Sequence, residues 1–312
     1  MTPAPAAAEA CYRVEHETRY RHTGLASTSQ HIACLTPRTL PTQRLESHTL
    51  SVEPAPAHYV ERQDCFGNTL HQFTILTPYE DLRVVARSIV RVSSRVSVDR
   101  DIDPELSPPW EHVRDALAYR RGVLPSEAAA FRFASPYVTL GAELAAFARE
   151  SFGKGRPFLA AAIDLMHRVH RDFRFDTVAT SVTTPITKVL EERSGVCQDF
   201  AHLQIGCLRA LGLPARYTSG YLLTDPPPGQ PRLVGADASH AWLSVHCPAH
   251  GWVDLDPTND VVPGLRHIVT AWGRDYGDVS PLRGVVLGGQ AHTLHVGVSV
   301  TPQDCETLSA DC

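Results

Sequence analysis

A chain of 312 residues, 43% hydrophobic and 20% charged, holds enough apolar material for one large core or two ordinary ones and too little charge to remain unfolded. With a formal net charge of -5 and no Lys or Arg cluster along a helical face, it lacks the electrostatic footprint of a nucleic-acid binder. No stretch reaches the ~20 apolar residues of a membrane span, and Met1–Ala10 has no basic segment ahead of an apolar run, so a cytoplasmic location is expected.

The front of the chain alternates with period two over Tyr12–Tyr20, Gln30–Leu35, Arg44–Glu53, Ala57–Gln63, Asn68–Leu76 and Leu82–Val98, broken by Pro and Gly-Asn. That pattern predicts a small antiparallel β-sandwich over residues 10–100. Pro104–Pro109 reads as a linker, and residues 101–156 as a linking and helical segment. The period then becomes helical over Pro109–Arg120, Leu140–Phe152, Phe158–Phe173 and Pro185–Glu192. In Phe158–Phe173 an apolar face runs through Leu159, Ile163, Met166, Val169, His170 and Phe173. A further helix, Ala201–Leu211, stops at Gly212-Leu213-Pro214, and strands follow over Ala215–Leu223, His240–Cys247, Gly251–Asp256, His267–Ala271 and Thr293–Thr301. Helices followed by strands predict an α+β second domain, assigned to residues 157–304.

Eight cysteines lie at 11, 34, 65, 197, 207, 247, 305 and 312 without CxxC spacing. In a reducing compartment most are expected as small core hydrophobes, with the last one or two loose in the tail. Cys197 differs by position, because it falls off the stripe formed by Val196, Phe200, Leu203, Cys207 and Leu211, in the first turn of its helix. There, unpaired backbone N–H groups and the positive end of the helix dipole stabilise a thiolate and can donate to an oxyanion. Gly195 just before it allows a tight turn and close approach of a substrate backbone.

A nucleophilic thiol needs an imidazole to take its proton and a carboxylate to orient that imidazole. His240 opens the strand of Ser239–Val245, and Gly251–Asp256 reads as its antiparallel partner. A turn centred near Ala249 sets residue 240 opposite about residue 258, so a small offset brings Asp254 or Asp256 alongside. The two aspartates share one face, and spacing does not choose between them.

The strings GVCQDFAHL (195–203), LRALGLPARYTSGYL (208–222), DASHAWLSVHCPAHGWVDLDPTND (237–260) and AWGRDYGDVSPLRGV (271–285) resemble the bacterial transglutaminase-like family. Tyr20, Leu35-Thr36-Pro37-Arg38 and Asp64-Cys65-Phe66-Gly67-Asn68 resemble the N-terminal β domain of its bacterial members, with Cys65 standing where Tyr is more usual, a change expected to touch packing only. The resemblance implies a papain-like cysteine-protease core, with Cys197 as nucleophile, His240 as general base and Asp256, before Pro257-Thr258, as the orienting carboxylate. It implies acyl transfer on peptide or isopeptide amides through a thioester, with hydrolysis favoured over transfer to an amine. A non-catalytic peptide-binding protein of the same fold and a zinc site on Cys197, His240 and Asp256 are the rival readings, and neither metal nor cofactor is expected.

Around the triad, Gln198 is a candidate oxyanion donor, and Tyr217, Tyr221, Trp242, Arg274 and Asp275 are candidate substrate contacts. The plainer expectations are that Asp199 complements its helix N-terminus, that His202 is a satisfied helix histidine, and that the loop of Arg274, Asp275, Tyr276 and Asp278 holds a buried Arg-Asp brace. The expected partner is a peptide or protein substrate, and the sequence leaves oligomeric state open.

Overall fold

The computed structural model describes residues 8–94, 103–119, 121–122, 126–225 and 239–305. Its first strand, β1 (Glu9–Ala33), is one element of 25 residues, where the alternation predicted two strands and a turn. The polar stretch between them stays extended because β1 is paired on both edges. Along one edge run β4 (Thr69–Ile75) and β5 (Tyr79–Ser93), with β2 (Gln43–Glu53) outside β5 and β3 (His58–Gln63) outside β4. Along the other run two strands from the far end of the chain, described below. The register breaks between Arg21 and Ala26, which divides the sheet into two halves that share β1.

The front is therefore one curled antiparallel sheet of seven strands rather than a sandwich of two sheets. Its halves close over Ala26, Leu35, Phe73, Ile75, Leu82 and Val84.

Beyond the sheet, the stretch read as a linker is engaged with the core: Pro104–Leu106 forms a 3-10 turn, and Ser107 Oγ accepts the Leu159 amide at 2.9 Å. Three helices follow, α1 (Trp110–Ala116), α2 (Ala142–Arg149) and α3 (Phe158–Asp172), with a 3-10 turn at Glu127–Arg132 between the first two. On α3 the buried stripe is Leu159, Ala162, Leu165, Met166 and Val169; His170 lies outside it and reaches the Thr258 carbonyl at 3.0 Å. Next come β6 (Arg174–Phe175), α4 (Ile186–Glu192), β7 (Ser194–Gly195) and α5 (Cys197–Ala210), with β6 and β7 a short parallel pair.

The core sheet is antiparallel, in the order β10 (Gly251–Leu255), β9 (Ser239–Cys247), β8 (Ala215–Leu222), β11 (His267–Gly273). Helix α5 lies on it with every residue from Asp199 to Arg209 buried, and its buried polar side chains Asp199, His202, Gln204 and Arg209 are each hydrogen-bonded. The Arg209 guanidinium is buried as well, spread over the carbonyls of Phe131, Phe133, Ala215 and Arg274.

A short helix, α6 (Tyr276–Val279), leads to β12 (Leu282–Gly288) and β13 (His292–Gln303). These last strands, grouped with the core from sequence, hydrogen-bond to β1: β12 along Ala26–Ala33, and β13 along Cys11–His22. Cys11 and Cys305 are joined as a disulfide, so the tail cysteine expected to be loose is tied to the first strand. Cys312 lies outside the described residues. Cys34, Cys207 and Cys247 are buried, and burial pushes the thiols of Cys34 and Cys207 up to about 12, as expected of core hydrophobes. Cys65 is exposed, so it does not pack as expected.

Two carboxamides couple the front sheet to β11, the edge strand of the core sheet. Gln43 accepts from the Val269 amide at 2.8 Å and donates to its carbonyl at 2.7 Å. Asn68 does the same for Trp272 at 3.0 and 2.8 Å. Each side chain stands in for a strand neighbour, satisfying edge groups that would otherwise be buried and unpaired.

Candidate active site

Cys197 is the first residue of α5, partly exposed, where the leading amides have no intrahelical acceptor. The turn into the helix is held by Asp199, whose Oδ2 accepts the Val196 amide at 2.8 Å and the Thr180 hydroxyl at 2.6 Å. Burial pushes the Asp199 carboxyl up, against the pull of those two hydrogen bonds. A Cβ on Gly195 would lie 2.8 Å from Asp199 Cβ and Oδ2, so this turn accepts only glycine without displacing its own brace.

His240 stands near the start of β9, almost buried, and its Nε2 donates to Asp256 Oδ2 at 2.7 Å. That leaves Nδ1 as the ring nitrogen available to the thiol. Burial opposes a charge on this imidazole, but the hydrogen bonds to Asp256 and to Cys197, reinforced by the charges of both, push it up to about 10. Asp256 follows directly on β10 and is fully buried. Its Oδ1 accepts the amides of Thr258 and Asn259 at 3.0 and 3.2 Å, while Oδ2 also receives Asn259 Nδ2 at 2.7 Å and His267 Nε2 at 3.0 Å. These bonds hold the carboxyl well below the usual carboxylate range against the cost of burial.

The choice between the aspartates is resolved by register. Asp254 pairs with Ser244 across β9 and β10, and the Ser244 hydroxyl, itself in contact with Thr218, donates to its carboxylate. Asp256, past the end of the strand, is the one that meets His240.

Among the described residues, His240, Asp256 and His267 are the group whose donor atoms converge for a metal, within 4.8 Å of one another. That differs from the Cys197, His240 and Asp256 set weighed from sequence. Any ion there would take the place of the hydrogen-bonded protons on Asp256.

The other candidates are placed as follows. Gln198 Nε2 donates to the Val182 carbonyl at 3.2 Å, so its amide is engaged with the loop before α4. Tyr217 is buried between His202 and Tyr276, and burial first, then the nearness of Cys197, raises its phenol. Tyr221 points away from the triad into the front sheet, where its hydroxyl meets His16 Nδ1 at 3.1 Å. Trp242 is fully buried as the floor under both imidazoles, with ring centroids 5.9 Å from His240 and 5.3 Å from His267. Neither Tyr221 nor Trp242 has surface to offer a substrate.

The expected Arg-Asp brace forms between Arg274 and Asp278 at 2.9 Å, although Arg274 is half exposed rather than buried. Asp275 instead caps α6 and accepts the Tyr137 amide. His202 is satisfied, accepting the Tyr276 amide at 3.1 Å, and burial followed by Arg209 brings it down to about 3. The residues that sequence reading missed are His267 and Asn259, both on Asp256. Asn259 could have been found from its place just past the Asp-Pro-Thr turn, whereas His267 arrives from another strand.

The sequence matches two family models, the bacterial transglutaminase-like N-terminal region over residues 12–91 and the transglutaminase-like superfamily over residues 145–257. The chain belongs to the transglutaminase-like superfamily. It is 40% identical over 304 residues to an uncharacterised protein of Mycobacterium tuberculosis, covering 96% of this chain and 95% of that one. Over 143 residues it is 30% identical to the protein-glutamine gamma-glutamyltransferase of Pseudomonas aeruginosa, which is 43% of this chain and 21% of that protein. A crystal structure from Cytophaga hutchinsonii, described as that of a candidate cysteine protease, shares the fold with a TM-score of 0.72 at 18% identity, covering 96% of this chain and 93% of that one.

Proposed function

We propose that the protein is a cysteine-nucleophile enzyme that transfers acyl groups from peptide or isopeptide amides through a thioester on Cys197, with water as the usual acceptor. The observation that carries the reading is the line from Cys197 to His240 to Asp256, with Nε2 of the imidazole held on the carboxylate at 2.7 Å and the thiol in a helix first turn. His240 takes the Cys197 proton, so that the attacking group is the sulfur anion. The sulfur attacks the amide carbon, and the carbonyl electron pair moves onto oxygen beside the first-turn amides. Collapse breaks the C–N bond as His240 gives its proton to the leaving amine. His240 then takes a proton from water, which attacks the thioester and frees Cys197. Asp256 and Asn259 keep the imidazole turned toward the sulfur throughout.

Transfer to an amine is the second reading, favoured by the similarity to the Pseudomonas glutamyltransferase. Incubation of a glutamine-bearing protein with a labelled primary amine separates the two, since label incorporated marks the amine acceptor and ammonia without label marks water.

The triad itself is tested by iodoacetamide alkylation with peptide mass spectrometry, using the exposed Cys65 as an internal reference. Cys197 should react fastest at about pH 6, where an ordinary thiol is protonated, and should lose that advantage in His240→Ala. Equal rates for Cys197 and Cys65 would remove the basis of the proposal. The Cys11–Cys305 bond argues for an oxidising compartment rather than the cytoplasmic one expected from sequence. Thiol counting on protein taken directly from its own cells decides between them.

A further inference from the structure

Asp256 holds two imidazoles on one oxygen. His240 Nε2 from β9 and His267 Nε2 from β11 lie on its Oδ2 at 2.7 and 3.0 Å, with ring centroids 6.1 Å apart. Strands two places apart in a sheet stand about 9.6 Å from each other, so the rings have to lean across the strand between them. The register lets them do so. His240 lies opposite Gly220 on β8, Gly220 lies opposite Val269 on β11, and His267, two residues before Val269, points to the same face. Gly220 puts no side chain in the way.

Packing alone does not account for a histidine at 267. The ring is 7% exposed and meets Trp242 edge-on at 5.3 Å, and its Nδ1 is buried without a hydrogen-bond partner. Because Asp256 accepts from Nε2, the ring proton is on that nitrogen, and Nδ1 is left with an unused lone pair. A phenylalanine would fill similar space without that cost, so what the histidine adds is the Nε2–H. The other groups donating to Asp256 besides His240 are the Thr258 and Asn259 amides and Asn259 Nδ2, all from the turn that carries Asp256 itself. They travel with that turn, and Asn259 is exposed. His267 is the donor that ties the carboxylate to a separate strand of the core sheet.

We propose that His267 is a positioning residue for the reaction: its Nε2–H anchors the Asp256 carboxylate to β11 so that Oδ2 faces His240, which keeps the His240 proton on Nε2 and leaves Nδ1 turned toward Cys197. The inference rests on the triad reading above and adds to it a fourth residue that acts only through Asp256. A carboxylate held this way selects both the tautomer and the direction of the imidazole it orients.

The test compares wild type with His267→Phe, which keeps a ring against Trp242 but has no donor, and His267→Gln, whose amide carries an N–H to the place of Nε2. The readout is the iodoacetamide rate of Cys197 relative to the exposed Cys65. Asp199, Asp275, Tyr217 and Tyr276, which share the surroundings of Cys197, are the same in all the proteins compared. At about pH 6, His267→Phe should lose about tenfold or more, as removal of an outer-shell hydrogen bond does at metal sites, and His267→Gln should recover most of it. At about pH 9, above the free-thiol value of ~8.5, the thiol ionises unaided and the proteins should label alike, whereas damage to the fold or to access would slow both measurements. In wild type carrying isotope-labelled histidine, NMR should find the His267 proton on Nε2, a readout that needs no variant to fold. A wild-type rate for His267→Phe at about pH 6, a Gln variant no better than Phe, slowing at both pH values, or a His267 proton on Nδ1 would each overturn the proposal. If wild-type Cys197 itself has no advantage over Cys65, the triad reading falls and this one with it, while a failure confined to the His267 variants leaves the triad standing.

Discussion

His240 and Asp256 lean on each other, and the direction of each shift sets where in pH their pairing stabilises the fold. His240, pushed up from 6.5 to about 10, contributes fully below pH 6.5 and loses its contribution as pH rises through 10. Asp256, lowered from 3.8, contributes above that value and loses its contribution as pH falls through the depressed value. Both contributions are complete between about pH 4 and 6.5. Asp256→Asn should therefore cost about 3 kcal/mol, as removal of one partner from a buried pair does, with the largest difference from wild type near pH 5 and a smaller one near pH 10. Urea midpoints across that range check it, and a difference independent of pH would contradict the pairing. Cys197 at a helix start and His240 on a hairpin were legible at this scale because these are local patterns, whereas Asp256 was told from Asp254 only by the family resemblance. His267 was not, since only the pairing of β11 with β8 brings it beside Asp256.

At the scale of elements, the site depends on how closely the core strands approach. Gly220 on β8 lies opposite His240 on β9, and a Cβ there would come 2.0 Å from the Ile268 carbonyl on β11 and 2.7 Å from the Trp242 ring. Gly220→Ala should force β8 and β11 apart, costing about 1–3 kcal/mol as overpacking does, and should tilt the Trp242 floor under both imidazoles. Thermal melting together with the Cys197 alkylation rate reads this, and a variant normal in both would refute it. Element types and most core boundaries followed from periodicity and from stop signals such as Gly212-Leu213-Pro214. The course of β1 did not, because its Thr- and Ser-bearing middle carries the residues of a turn and is kept extended by strands distant in sequence. β12 was overlooked for a similar reason: it is half exposed, so Leu282–Gly288 shows little alternation to detect.

For the molecule as a whole, the Cys11–Cys305 bond closes nearly the entire chain, with a sequence separation of 294. Cys305→Ser should lower stability by about 2–4 kcal/mol under oxidising conditions and by much less once reductant has opened the bond in wild type. Denaturant melts with and without reductant make the comparison, and identical wild-type melts in both would show that the bond does not form in solution. No sequence rule assigns such a pair, because cysteine spacing does not specify which residues meet. Only the pairing of Cys11 with Gln303 across β1 and β13 brings them together.

The two-sided pairing of β1 also has a consequence for biosynthesis. The strand is translated before the core sheet, yet the partners for one of its edges, β12 and β13, are translated only after it. Until then the nascent chain displays a long, unpaired strand edge, the kind of surface through which chains associate wrongly with one another. The front sheet can thus be completed only once the core is made, and expression yield should depend on chaperones that shield that edge in the interval.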